Sequence, residues 1–186
     1  MTGWVADTGQ LVAVVGPSGV GKDTLIDAFA KARPDAIIVR RVITRAAGAP
    51  GEDHDTVSEA LFDAQLALGR YAVHWSAHGL RYAIPATIDA HLAKGRLVVF
   101  NGSRKALPLI RARYPRLQVV MLTASVDVLQ QRLQARGRET AREIAARLKR
   151  AELDPPEDAH VIVNDGSLDD ALAHMLRVLN LSARSA

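Results

Sequence analysis

The fold of this 186-residue chain is indicated most clearly by one stretch, Leu11-Val12-Ala13-Val14-Val15-Gly16-Pro17-Ser18-Gly19-Val20-Gly21-Lys22. Its apolar, β-branched beginning predicts a buried strand, and Gly16 opens a glycine-rich turn. After Lys22, apolar residues recur at a helical period until Pro34 ends the helix. A strand, a glycine-rich loop that ends in lysine, and a helix together predict a phosphate-binding P-loop.

The chemistry of this loop indicates a nucleotide. Gly16, Gly19 and Gly21 let backbone N–H groups converge on phosphate oxygens, and the start of the helix adds its positive dipole. Lys22 is placed to reach the terminal phosphates. These residues predict phosphate binding and leave open which phosphoryl-transfer reaction follows.

Asp23 departs from the usual P-loop pattern, which has Ser or Thr after the lysine. The hydroxyl is carried one residue later, by Thr24. A carboxylate is a hard ligand that suits Mg²⁺, so we predict that Asp23 contacts the metal directly or through water. The alternatives are a charge that stabilises the helix N-terminus, or a damaged site. No aspartate ends the strand at 96–100, where Asn101 follows instead.

Strands and helices alternate along the rest of the chain. Apolar, β-branched runs predict strands at 36–42, 96–100, 117–122 and 161–163. The alternation predicts an α/β fold in which helices cover both faces of a parallel sheet. Because ligands bind at the carboxyl ends of such strands, the turns after the strands, at Gly16, Asn101 and Asn164, are expected at one edge.

Two local patterns interrupt this alternation. The runs 71–75 and 81–84 flank a turn at Gly79 and predict a hairpin. Thr56-x-x-Glu59 predicts a capping box that opens a helix toward Gly69.

The composition excludes several classes of protein. With 48% apolar and 24% charged residues, the chain has the composition of a soluble globular domain. The absence of cysteine excludes disulfides, Cys-based zinc sites and thiol nucleophiles. Lys and Arg number 24 against 20 Asp and Glu, but 4% aromatic residues and no basic tail disfavour a nucleic-acid partner. No membrane span or leader pattern is present, and we expect a cytoplasmic protein.

Five arginines surround Gly137 between two predicted helices. They are Arg132, Arg136, Arg138, Arg142 and Arg147. The cluster predicts a lid that closes arginines onto the transferring phosphoryl group and excludes water. The alternative is a solvated helical face in which Glu139 and Glu143 pair with the arginines.

Over nearly its whole length, the chain resembles the guanylate-kinase-like branch of the small P-loop kinases. The shared motifs are Gly16-Pro17-Ser18-Gly19-x-Gly21-Lys22, Thr44-Arg45, Gly51-Glu52, Gly79 with Tyr82, Arg132-Leu133-x-x-Arg136-Gly137, Ile144-x-x-Arg147-Leu148 and Val163-Asn164-Asp165. Within that branch, the chain is more similar to the ribose 1,5-bisphosphate phosphokinases of phosphonate degradation. The motifs that select this family are Gly21-Lys22-Asp23, Ile43-Thr44-Arg45, His78-Gly79-Leu80-x-Tyr82, Asn101-Gly102-Ser103-Arg104, Ala112-Arg113-Tyr114, Arg136-Gly137-Arg138-Glu139 and Asn164-Asp165-Gly166-Ser167-Leu168.

The resemblance implies an enzyme that uses ATP and Mg²⁺ to convert ribose 1,5-bisphosphate to 5-phospho-α-D-ribosyl 1-diphosphate. It implies Lys22, Arg136 and Arg147 as catalytic residues. The implied ATP-binding residues are Gly16, Pro17, Ser18, Gly19, Val20, Gly21, Lys22, Asp23, Thr24, Arg132 and Asn164. The candidates for binding the phosphorylated ribose, chosen by position and chemistry, are Arg45, Arg81, Tyr82, Asn101, Ser103 and Arg104.

The implied architecture is a single P-loop kinase domain over residues 1–186. It has a core at about 9–35 and 96–186, a small substrate-binding subdomain at about 36–95, and a helical lid at about 132–150.

Several alternatives stay open. Guanylate kinases carry a Glu before Trp where this chain has His74-Trp75, and acidic residues where it has Asn101-Gly102-Ser103-Arg104. These replacements disfavour GMP and suit a substrate with two phosphates, because donors replace carboxylates. GMP phosphorylation and a non-catalytic guanylate-kinase-like binding module are the alternative functions. Each proposed substrate residue could instead be structural, and Asn164 could cap the final helix rather than border the adenine.

Overall fold

In the computed structural model, the described residues are 9–45, 54–77, 79–135 and 155–181. Their strands are β1 Gln10–Val15, β2 Ile37–Val39, β3 Arg41–Thr44, β4 His54–Val57, β5 Tyr71–Ala77, β6 Leu80–Pro85, β7 Leu97–Asn101, β8 Gln118–Thr123 and β9 His160–Val163. Their helices are α1 Lys22–Ala32, α2 Glu59–Ala67, α3 Thr87–Ala93, α4 Leu107–Arg113, α5 Val126–Ala135 and α6 Leu168–Val178, with a 3₁₀ turn at Arg104–Ala106. The predicted lid from residue 136 onward, including Arg136, Arg138, Arg142 and Arg147, lies outside the described residues, as does His78.

The strands form two sheets. The five-stranded sheet has the order β2-β7-β1-β8-β9, and its pairs β2–β7 and β8–β9 are parallel. The four-stranded sheet has the order β4-β3-β6-β5, with β3–β4 parallel and β3–β6 and β5–β6 antiparallel. The larger sheet and its alternating helices confirm the predicted α/β class, and β5–β6 confirms the predicted hairpin.

The predicted strand at 36–42 is divided in the structure. Residues Ile37–Val39 pair with β7 in the larger sheet, whereas Arg41–Thr44 pair with β4 and β6 in the smaller one. A single apolar run therefore supplies two sheets, with the exposed Arg40 between its two parts. Apolar periodicity cannot reveal this division, because both parts are apolar.

The chain divides into two compact units. One comprises Met1–Ala13 and Asp35–Gln118, and the other comprises Val14–Pro34 and Val119–Ala186. The first unit contains the four-stranded sheet, α2, α3, β7 and α4, and the second contains α1, α5, β9 and α6. The extents that we expected for the core, the substrate-binding subdomain and the lid stay predictions.

Helix α2 covers one face of the four-stranded sheet in the first unit. Phe62 is fully buried in a cluster with Val42 of β3 and Ala83 of β6. Burying a side chain of this size stabilises the fold by about 2–3 kcal/mol.

The predicted capping box of this helix is wrong, since Thr56 lies in β4 opposite Ile43 of β3. Ser58 is the N-cap instead, and its Oγ accepts a hydrogen bond of 3.2 Å from the Leu61 N–H. The pairing with β3 keeps the backbone extended through Val57, so the helix begins later than the sequence pattern suggests.

In the second unit, α1 packs against α6. The predicted apolar face of α1 is confirmed, because Leu25, Ile26 and Phe29 are buried. Within the described parts of the chain, no helix has both the length and the hydropathy that a membrane crossing would need.

Candidate active site

The loop between β1 and α1 has the close backbone packing that the P-loop pattern predicts. Gly16 has φ +151°, and a Cβ placed on it would overlap the carbonyl oxygen of Leu122 in β8. Gly21, at the start of α1, has φ +97°. A side chain is sterically excluded at the first of these positions and strained at the second, which explains glycine at both.

Lys22 lies inside this loop. Its Nζ donates hydrogen bonds to the carbonyl oxygens of Gly16 at 3.2 Å and of Pro17 at 3.1 Å, and the residue is 7% exposed. These bonds compensate part of the cost of burying an ammonium group. They also hold the charge where loop N–H groups gather, so that it can attract the phosphates of a nucleotide.

Two side chains from later parts of the chain donate hydrogen bonds to the backbone of the loop. The Val20 carbonyl accepts a hydrogen bond from Asn164 Nδ2 at 2.8 Å and another from Arg132 Nη1 at 3.3 Å. Asn164 itself is buried, and its backbone N–H donates to the Thr123 carbonyl at 2.7 Å. The turns after β1 and β9 therefore come together, although β8 lies between the two strands, as expected for the carboxyl ends of strands at one edge of the sheet.

The alternative that Asn164 caps the final helix is wrong. The N-cap of α6 is Ser167, whose Oγ accepts a hydrogen bond of 3.1 Å from the Asp170 N–H. The predicted contacts of Asn164 and Arg132 with a nucleotide stay predictions.

Asp23 lies in the first turn of α1, directly after Lys22, and is half-buried. Its carboxylate and the exposed hydroxyl of Thr24 are hard oxygen donors, so the residues present fit Mg²⁺ in donor type. In the described part of the chain, no three His, Asp or Glu residues gather into a metal-binding group. We therefore predict that the protein supplies only one or two oxygen ligands to Mg²⁺, with Asp23 among them. Phosphate and water would supply the other ligands.

In the first unit, three of the predicted substrate residues follow β7. Asn101 ends the strand and is buried, Ser103 is partly buried, and Arg104 begins the 3₁₀ turn. Burial lowers the pKa of Arg104, but a guanidinium keeps its charge at any physiological pH. A partly desolvated arginine next to an amide and a hydroxyl forms a set of donors that suits an anionic ligand.

Arg81 and Tyr82, both predicted to bind substrate, lie on opposite faces of β6. The Arg81 guanidinium contacts the Phe62 ring at 4.2 Å and donates to Asp63 at 2.5 Å and Glu59 at 3.3 Å, all on α2. The hydrogen bond that Arg81 donates to Asp63 is the main reason that the pKa of Arg81 is raised. These contacts favour the structural alternative for Arg81, although its binding role stays untested.

Tyr82 belongs to a stack on the other face. Its ring is 5.5 Å from the Trp75 ring with an interplanar angle of 8°, and the Arg41 guanidinium lies 5.8 Å from the Tyr82 centroid. Arg41 is buried, and Arg40 is exposed. The predicted substrate residue Arg45 follows β3 and is half-buried. If both residues lay in one strand, as the run 36–42 predicts, Arg40 and Arg41 would point to opposite faces. The structure instead places Arg40 between β2 and β3, and only Arg41 is buried.

Comparison with known proteins identifies the family of this chain. The family model described as guanylate kinase matches residues 8–182. The ribose 1,5-bisphosphate phosphokinase PhnN of Rhizobium etli is 49% identical over 180 residues, which cover 94% of this chain and 91% of that protein. The protein of the same name from Agrobacterium fabrum is 45% identical over 181 residues, with 95% and 99% of the two chains covered.

The chain belongs to the ribose 1,5-bisphosphate phosphokinase family. Among solved structures, it is similar to a guanylate kinase from Anaplasma phagocytophilum, with a TM-score of 0.65 and 17% identity over 92% of this chain and 85% of that one. That similarity shows the fold. The predicted P-loop kinase fold and the predicted resemblance to ribose 1,5-bisphosphate phosphokinases are both confirmed.

In this chain, the position before Trp75 carries an exposed histidine. His74 lies on β5 opposite Ala83. A neutral or positively charged imidazole cannot provide the two acceptor oxygens with which a carboxylate would bind the N–H groups of a guanine ring. Sequence reasoning identified this replacement, but it did not identify the contact between Arg41 and the Tyr82 ring.

Proposed function

We propose that this protein transfers the γ-phosphoryl group of ATP to ribose 1,5-bisphosphate and releases 5-phospho-α-D-ribosyl 1-diphosphate and ADP. The observation that carries the proposal is the 49% identity to a ribose 1,5-bisphosphate phosphokinase along nearly the whole chain. The loop around Lys22 supports it, because its packing and its buried ammonium are those of a phosphate-binding loop.

The acceptor explains why a catalytic carboxylate is unnecessary. An oxygen of the substrate 1-phosphate attacks the γ-phosphorus, the bond from that phosphorus to the β-γ bridging oxygen breaks, and ADP leaves. The attacking phosphate oxygen is already ionised at neutral pH, so no general base has to remove a proton. Catalysis then depends on positioning and on stabilising negative charge.

The P-loop amides and Lys22 are proposed to bind the β- and γ-phosphates. Asp23, with Thr24 beside it, is proposed to hold Mg²⁺, which when bound would offset the negative charge of the phosphates. Arg132, Arg136 and Arg147 are proposed to close over the transferring group. Arg136 and Arg147 lie outside the described residues, and their proposed role comes from the family resemblance.

The acceptor is proposed to bind residues of the first unit. Asn101, Ser103 and Arg104 follow β7 and offer amide, hydroxyl and guanidinium donors to a phosphate. Arg45 and Tyr82 are further candidates, and the carboxylates around Arg81 make it the weakest of the set. ATP and phosphorylated ribose are metabolites of the cytoplasm, and we propose the same location for the enzyme.

A coupled ADP-release assay tests the reaction. The full chain is given Mg²⁺ and ATP with either ribose 1,5-bisphosphate or GMP, and ³¹P NMR identifies the product. We expect turnover on the bisphosphate with new diphosphate signals, and turnover on GMP at least a hundredfold slower. Lys22→Ala should lower kcat about 100-fold or more, because Lys22 stabilises charge in the transition state.

The matched control is Lys31→Ala, at an exposed lysine in the last turn of the same helix. It should retain wild-type turnover. Turnover on GMP alone would replace the proposal with guanylate kinase activity. Absence of turnover on both substrates, with ATP binding also absent, would favour a non-catalytic binding module.

A further inference from the structure

We propose that Asn164 is a positioning residue that keeps the P-loop in its phosphate-binding shape through the Val20 carbonyl, and that it does not read the nucleotide base. The inference rests on the proposed function, in that the loop must bind a nucleotide. It assigns to Asn164 a role different from the adenine contact expected from the sequence.

The first observation is the bond itself. Val20 is fully buried, and its carbonyl oxygen accepts a hydrogen bond from Asn164 Nδ2 at 2.8 Å. Buried carbonyl groups are nearly always paired, and an unpaired one is costly. Arg132 gives a second bond that is longer, at 3.3 Å, and comes from a partly exposed side chain. Asn164 is therefore the main partner of this carbonyl.

The second observation is that Asn164 is rigidly held. The residue is 6% exposed, and its backbone N–H donates to the Thr123 carbonyl at 2.7 Å. The next residue, Asp165, accepts a hydrogen bond of 2.7 Å from the Ser125 N–H. The backbone that carries the amide is thus held beside the ends of β8 and β9, which makes Asn164 a suitable anchor for a glycine-rich loop.

The peptide unit that joins Val20 to Gly21 is planar, and this fixes the direction of its N–H group. The Val20 C=O and the Gly21 N–H belong to one trans peptide unit, so they point in opposite directions. When Asn164 holds the carbonyl, the Gly21 N–H must point away from Asn164. Backbone N–H groups of this kind are what a P-loop offers to phosphate oxygens.

The close packing at Gly21 also leaves little room for a different position of the Asn164 amide. A Cβ placed on Gly21 would lie 2.9 Å from Asn164 Nδ2, so the amide packs directly against the residue before Lys22. Asn164 therefore sets the orientation of the last peptide units of the loop. Its effect on a nucleotide should reach the phosphates rather than the base.

The test is Asn164→Asp in the full chain, a substitution that keeps the shape and removes both donors. Binding is measured with Mg²⁺ and ATP by calorimetry. It is also measured with inorganic tripolyphosphate, which has phosphates and no base, by displacement of bound ATP. We expect both dissociation constants to rise by the same factor, about tenfold, because a buried carbonyl loses its main partner. Asn164→Ala, which also removes the donor and adds no charge, should raise both dissociation constants together by a similar factor.

The matched control is Ser167→Ala, which removes the cap of α6 in the same turn and does not touch Val20. It should lower the melting temperature and leave both dissociation constants unchanged. A loss of ATP affinity in Asn164→Asp with tripolyphosphate affinity unchanged would assign Asn164 to base contact and overturn the inference. Unchanged affinities with a lower melting temperature would overturn it in favour of a purely structural role. If the wild-type chain bound neither probe, the proposed function itself would be contradicted.

Discussion

At Lys22, a structural role and the proposed nucleotide-binding role fall on a single residue. Its ammonium is buried and donates to the Gly16 and Pro17 carbonyls, so the loop holds a positive charge whose partners include neutral carbonyl oxygens. Carbonyl oxygens are weaker partners for an ammonium than phosphate oxygens, which carry full charge. A nucleotide phosphate can therefore replace these bonds with stronger ones.

At the same scale, Asp23 provides a prediction about the metal. Asp23→Ala should raise the Mg²⁺ concentration for half-maximal activity about tenfold or more, and change the affinity for the acceptor much less, because a hard oxygen ligand is lost. The measurement is a Mg²⁺ titration of ADP release at fixed substrate concentrations.

Asp27→Ala removes an exposed carboxylate one turn later on α1 and serves as the control. Its Mg²⁺ titration should match that of the wild type. Equal losses of Mg²⁺ and acceptor affinity in Asp23→Ala would contradict a metal role and leave helix stabilisation as the explanation.

At the scale of elements, α2 shows how a strand pairing overrides a local helix signal. Ser58 caps α2, whereas Thr56 pairs with β3. Ser58→Ala should therefore lower the free energy of unfolding by about 1 kcal/mol. Thr56→Ala, at an exposed strand position, should change it by less than about 0.5 kcal/mol. Urea denaturation of the two variants checks this, and the reverse order of effects would restore the capping box.

A second element-scale contact joins α3 to the end of α4. The Tyr114 hydroxyl donates to Asp89 Oδ1 at 2.6 Å and accepts from Arg113 Nε at 3.0 Å. Burial is the first cause that raises the pKa of Tyr114 above 10, and the bond to Asp89 is the second. The folded state therefore binds the phenol proton more tightly than the unfolded state does.

This shift predicts how stability depends on pH. The contribution of Tyr114 is complete below its unfolded pKa near 10 and is lost as the pH rises above that value, with a slope of up to about 1.4 kcal/mol per pH unit. Wild type should thus lose more stability than Tyr114→Phe between pH 9 and pH 11, as measured by urea denaturation. Parallel losses in the two proteins would show that this phenol does not link pH to folding.

At the scale of the whole molecule, nucleotide binding should appear as stability. A ligand present at 100 times its dissociation constant adds about 2.7 kcal/mol to the free energy of unfolding when only the folded state binds it. For a chain of this length, that corresponds to a melting temperature about 5–10 °C higher. Differential scanning fluorimetry with Mg²⁺ and ATP measures the shift.

Lys22→Ala should show a smaller shift at the same ATP concentration, and Lys31→Ala should show the full one. The comparison separates the effect of the loop lysine from a general effect of charge, because both variants remove one positive charge from α1. An equal shift in the two variants would mean that nucleotide binding does not depend on the loop lysine.

Features that depend on a short run of neighbouring residues could be predicted from the sequence. The P-loop, the α/β alternation and the hairpin at Gly79 follow from local spacing, because a strand, a turn or a helix imposes its own periodicity on neighbouring residues. The family and the His74 replacement follow instead from the resemblance of many short motifs to those of known kinases.

Which distant groups meet depends on how the whole chain folds. Asn164 reaches the Val20 carbonyl from 144 positions away, and Arg132 does so from 112. Likewise, Arg81 is drawn to the carboxylates of α2, while Tyr82 next to it stacks on Trp75. Such contacts depend on strand pairing and helix packing, which bring together residues that no local period connects, and they therefore become visible only in the folded chain.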